Sequence, residues 1–101
     1  MIDIYVREFI GIGNFLEKNA KVHKGYILAE KKTIEEMLNR NRYDTASNKL
    51  KIWKRLRWID TEADRRLTKR VYDGESGTYK PYIKMSISVL EQLRALQKQA
   101  K

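Results

Sequence analysis

The sequence predicts a single α+β domain: three helices, a β-hairpin and a C-terminal helix. Three observations point there. Apolar residues recur at helical spacing in three stretches before Ile59. The period then changes from 3.6 to 2 between Arg66 and Ile87, on either side of the glycine-bearing run DGESGT. Helical spacing returns from Ser88 to Lys98. With 101 residues, 42% of them hydrophobic, the chain has room for one small core. No repeat, low-complexity run or linker divides it, so residues 1–101 are expected to form one domain.

The first helix is expected from Ile4 to Asn19, with Tyr5, Phe9, Ile12 and Leu16 on one side and Val6, Ile10 and Phe15 widening it. Gly11 and Gly13 each weaken a helix by about 1 kcal/mol relative to alanine, which leaves room for a kink. The alternation Ile2, Ile4, Val6 offers a short strand as the competing reading. Ala20 to Gly25 reads as a polar connector containing the lone histidine, His23. Tyr26 to Leu28 is long enough for a short strand. Glu30 to Leu38 follows as a helix with Ile34, Met37 and Leu38 inward, or begins at Thr33, which has capping-box spacing to Glu36. NRNRY, Asn39 to Tyr43, is a polar turn.

The stretch Asp44 to Ile59, DTASNKLKIWKRLRWI, organises the rest. Ala46, Leu50, Trp53 and Leu56 form an apolar stripe, and Asp44 or Thr45 can cap the helix start. Asn48, Lys49, Lys51, Lys54 and Arg55 are left for the other side. Such a row suits phosphates and base edges in a major groove, although basic helix faces are often merely solvated. Trp53 belongs to the core by its place in the stripe, and Trp58 is expected to pack under the hairpin. In the hairpin, Leu67, Lys69 and Val71 point one way, and Arg66, Thr68, Arg70 and Tyr72 the other. Pro81 belongs near the turn or on an edge. In the last helix Ser88 and Glu91 have capping-box spacing. Val89, Leu90, Leu93 and Leu96 form a stripe to pack on the first helix or on its copy in a second subunit.

Charge separates the regions. Lys and Arg number 22 against 13 Asp and Glu, a net +9. Residues 1–39 carry six of each sign, whereas residues 40–84 carry 13 cations against 6 acids. A local basic surface attracts polyanions, with binding that weakens steeply in salt. Nucleic acid is the first candidate, and an anionic membrane surface the weaker second, since the apolar stripe is committed to the core. With no cysteine and one histidine, disulfides, thiolate sites and His-rich metal sites are excluded. No phosphate-cradling glycine loop or carboxylate pair with an evident base is present, and Glu35 and Glu36 read as a solvated helix surface. The expectation is a non-enzymatic chain without cofactor or metal. It is also expected to be soluble and cytoplasmic, since no signal peptide or span of about 18 apolar residues is visible.

The order helix, short strand, helix, turn, basic helix, hairpin, helix resembles the winged helix-turn-helix family, over Gly25 to Ile87. Ala46, Leu50, Trp53 and Leu56 match the stripe of its recognition helix. The exit step Arg57-Trp58-Ile59 stands where the family has a Gly-Leu-Ile-like step, with Arg57 at the glycine position. The resemblance implies a homodimer on double-stranded DNA. Asn48, Lys49, Lys51, Lys54 and Arg55 would meet the major groove, with Asn48 open either to adenine or to the helix cap. Arg65, Arg66, Lys69, Arg70, Lys80 and Lys84 of the wing would meet the backbone or minor groove, with at least as much of the contact as the helix. The chain also looks like accessory proteins of mobile elements, such as those assisting a relaxase at an origin of conjugative transfer. A plasmid or phage origin factor and a small repressor fit equally. A winged-helix adaptor without DNA readout is the alternative, and Tyr72, Tyr79 and Tyr82 keep RNA binding open.

Overall fold

A computed structural model of the chain describes residues 2–62 and 66–99. It is an α+β domain with four helices and an antiparallel sheet. Helix α1 runs Ile2–Asn19, followed by strands β1 (Lys21–His23) and β2 (Tyr26–Ala29) and helix α2 (Lys31–Leu38). Helix α3 is Ala46–Arg55. Strands β3 (Ile59–Asp60), β4 (Lys69–Asp73) and β5 (Thr78–Ser86) lead into helix α4 (Ile87–Gln99). The sheet order is β1-β2-β5-β3, with β4 also paired to β5, all antiparallel.

Helix α1 is unbroken through both glycines, and its helical start overturns the strand alternative at the N-terminus. Gly13 has a packing reason: a Cβ there would lie 2.8 Å from the Leu90 side chain, so α4 approaches α1 closely at this point. Arg94 of α4 also donates to Asn14 at 2.9 Å and pairs with Glu17 at 3.0 Å. Leu90 and Leu93 are therefore used within the chain, while Leu96 is exposed. The α4 cap is Ser86, whose Oγ accepts from the Val89 amide at 3.2 Å, and not Ser88.

The polar connector hides a hairpin. Lys21–His23 pairs with β2, and Lys24 and Gly25 form a two-residue loop with φ of 49° and 85°. Positive φ at both central residues is the type I′ turn, whose twist matches the strands it joins. The Gly25 carbonyl then accepts from the Ile87 amide at 3.0 Å, tying this turn to the start of α4.

The core joins α1, α2, α3 and one sheet face, through Phe9, Ile12, Leu16, Ile27, Ile34, Leu38, Leu50, Trp53, Ile83 and Met85. Phe9 is the hub: its ring lies 4.9 Å from Trp53, edge-on, and 5.1 Å from Trp58. Trp58 thus packs on α1. Phe15 and Leu56, both expected inside, are exposed. Leu56 fails because the helix ends there. The amides of Arg57 and Trp58 turn back to the carbonyls of Lys54 and Trp53, at 3.0 and 2.9 Å, with Arg57 at φ 61°. This is a Schellman stop with arginine in the left-handed position that glycine usually fills.

Candidate nucleic-acid interface

Thr45 caps α3, its Oγ1 accepting from the Asn48 amide at 3.1 Å. Ala46, Leu50 and Trp53 then turn inward as their spacing predicts, and so does Lys49, which is fully buried. The expected role of Lys49 in the basic row is corrected: its stem lies on the core side, and its ammonium is consumed internally. Nζ donates to the carbonyls of Leu38 (2.7 Å) and Asn41 (2.5 Å) and pairs with Glu8 at 3.1 Å. Asn41 Nδ2 and the Tyr43 hydroxyl also donate to Glu8, and Lys49 Nζ sits 4.0 Å over the Tyr43 ring. Burial, with the bond to Glu8 adding to it, raises the Tyr43 hydroxyl pKa far above 10.0. One lysine thereby satisfies carbonyls at the end of α2 and in the turn, where helices leave acceptors unpaired.

At roughly 100° per residue, the outward side of α3 carries Asn48, Lys51 and Arg55, with Ser47 and Lys54 beside them. Asn48, Lys51 and Arg55 are exposed. Asn48 Nδ2 donates to Asp44 Oδ1 at 3.1 Å, so its side chain belongs partly to the cap. That bond is the first cause holding the Asp44 carboxyl below its usual pKa, and the Thr45 amide is the second. Among the described residues no carboxylate pairs with Lys51 or Arg55. Lys54 Nζ donates to the Arg66 carbonyl at 2.8 Å, which joins the helix flank to the root of the β4–β5 hairpin.

The hairpin cations are differently placed. Lys69 and Lys84 both reach Asp60, at 3.1 and 3.2 Å. Burial by itself would raise the Asp60 pKa, but the hydrogen bonds and charges of the two lysines together lower it. Lys84 also lies 4.5 Å over the Tyr26 ring. Lys80 pairs with Asp73 at 3.0 Å and, helped by Ser76, holds that carboxyl at about 2. Arg66 pairs with Glu62 at 2.9 Å. Arg70 is exposed, and among the described residues no carboxylate pairs with it. Arg65 lies outside the described residues. The strand itself begins at Lys69, later than the alternation from Arg66 suggests, and the Glu62 amide donates to the Thr68 carbonyl at 3.1 Å.

The structure therefore brings together Asn48, Lys51, Lys54, Arg55 and the Arg66 backbone, and commits Lys49, Lys69, Lys80 and Lys84 to internal acids. The residues missed by sequence reasoning are Glu8 and Tyr43, which belong to the Lys49 clamp. Their signal is one of spacing: Glu8 neighbours Phe9 and lies on the half of α1 that faces the turn. Among the described residues no group of three His, Asp or Glu could hold a metal ion, and no helix is long and apolar enough to cross a membrane. Comparison with models of known families and with curated protein sequences returns no match.

Proposed function

We propose that the chain is a winged helix-turn-helix protein that binds double-stranded DNA sequence-specifically and without catalysis. The connectivity supports this reading: α1, β2, α2, α3, then a hairpin whose second strand, β5, lies beside β2. The observation that carries it is the outward side of α3. Lys51 and Arg55 stand one turn apart there, paired with no carboxylate among the described residues, at a place where a rigid helix can enter a groove. The Lys49 clamp fixes the angle of α3 to α2 from inside, and the Lys54 bond fixes α3 to the hairpin. The biological role in this reading is that of an accessory factor at a plasmid or phage origin, beside a relaxase or another protein, or of a small repressor.

Selection of bound duplexes from a random pool tests this. The expected result is an enriched motif, bound with an affinity that falls steeply as salt rises. A footprint over the DNA upstream of its own gene, against one at a transfer origin, then separates repressor from origin factor. Binding to a protein partner that salt leaves unchanged, with no enriched duplex, would favour the adaptor reading instead.

A further inference from the structure

The two faces of the hairpin differ in a way that the DNA-binding reading does not require. In the register of β4 and β5, Lys69, Val71 and Asp73 share one face with Tyr82, Lys80 and Thr78. Arg70 and Tyr72 share the other with Pro81 and Tyr79. On the first face Lys80 pairs with Asp73, and Lys69 and Lys84 share Asp60. On the second face Tyr72 and Tyr79 are 58% and 67% exposed, with ring centroids 5.4 Å apart at 69°. Arg70 is beside them without a carboxylate among the described residues. Residues 74–81 are all exposed, so this end of the hairpin stands in solvent.

We propose that the Arg70–Tyr72–Tyr79 face of the hairpin tip is a second DNA contact that stacks on unpaired bases. Exposed aromatic rings beside a cation, on a backbone-accessible finger, are the elements with which proteins hold unstacked bases: the ring takes the base face and the arginine the neighbouring phosphate. Regular duplex offers no such base faces, so the contact selects a locally melted or mismatched site. On the opposite face Asp60 and Asp73 hold the lysine heads, whereas Arg70, with no carboxylate partner among the described residues, is left to meet a phosphate beside the rings. The proposal rests on the DNA-binding reading above.

The test uses the full chain and three labelled DNAs: an intact duplex, the same duplex with a short central run of mismatched thymines, and the free single strand. The mismatched duplex is expected to bind about tenfold more tightly than the intact one, the effect of one stacked base. Y72V together with Y79V, which replaces the rings by residues that also favour strands, is expected to abolish that preference and to leave intact-duplex affinity within about twofold. Y79F is expected to keep the preference. If circular dichroism shows that the valine variant loses the hairpin, Y79W replaces it. Its added emission should then be quenched more by the mismatched duplex than by the intact one. Equal binding of both duplexes by the parent, or no such quenching, overturns the proposal. So does a valine variant that changes oligomeric state in light scattering without changing DNA preference, which would assign the tyrosines to a second copy. Failure of the parent to bind either duplex overturns the DNA reading itself, so the two failures are distinguishable.

Discussion

The turn between α2 and α3 and the finger of β4 and β5 both hold lysines against carboxylates, yet with opposite consequences. Lys49 and Glu8 are paired out of solvent, with side-chain exposures of 0% and 3%. Lys80 is 50% exposed beside Asp73, and Lys69 is 39% exposed beside Asp60. A buried pair is held because breaking it strands a charge in a poor solvent, whereas an exposed pair competes with water and gains little. The first therefore fixes geometry, and the second mainly cancels charge. A lysine's contribution to a basic surface thus depends on where its carboxylate lies, which composition does not reveal.

The comparison is broken most directly at Lys49. K49M leaves Glu8 buried without its cation and is expected to destabilise by about 3–5 kcal/mol in urea unfolding. Adding E8L should recover much of that loss. A K49M cost no larger than that of a surface substitution would remove the clamp from the account. Next in size is Arg57, which α3 places in the left-handed region at φ 61°. R57G is expected to raise stability by about 1 kcal/mol, since glycine lacks the Cβ that strains this conformation. A shift of the urea midpoint to higher concentration checks it.

At the root of the finger, E62Q removes the partner of Arg66, which is 59% exposed, and should lower stability by only about 0.2–1 kcal/mol in the same measurement, as exposed pairs do. The smallest effect is acidic. Asp73 has its folded pKa lowered from 3.8 to about 2 by Lys80 and Ser76, so its stabilisation is complete above about pH 4 and fades as pH falls through about 2. Hydrogen exchange at Gly77, whose amide donates to the Asp73 carbonyl at 2.8 Å, should quicken over that window while the α2–α3 turn stays protected. Exchange that quickens at both places together would erase the distinction.

Much of the fold was legible because periodicity reports burial. Ile34, Leu38, Ala46, Leu50, Trp53, Leu90 and Leu93 are buried as their spacing requires, and the change of period marks the hairpin. The β1–β2 hairpin was not legible, because three residues of alternation around Lys24-Gly25 are too few to register. Nor was Leu56, which sits at a stripe position but falls where the helix stops. The candidate site was only half legible. Hydropathy assigns every lysine outward and so puts Lys49 in the basic row, although roughly 100° per residue sets it near Leu50 and Trp53. The acids that neutralise the finger lysines are distant in sequence: Asp60 is 24 residues from Lys84. No local pattern announces such pairs.

In the proposed function Lys51 and Arg55, not the paired lysines, give the molecule its hold on duplex DNA. Salt titration of duplex affinity for the parent, for K51E with R55E, and for K80E tests it. The helix double variant is expected to lose at least about tenfold in affinity and a salt slope of about two phosphate contacts, with K80E losing markedly less. Equal losses in the two variants, or parent binding that ignores salt, would contradict it.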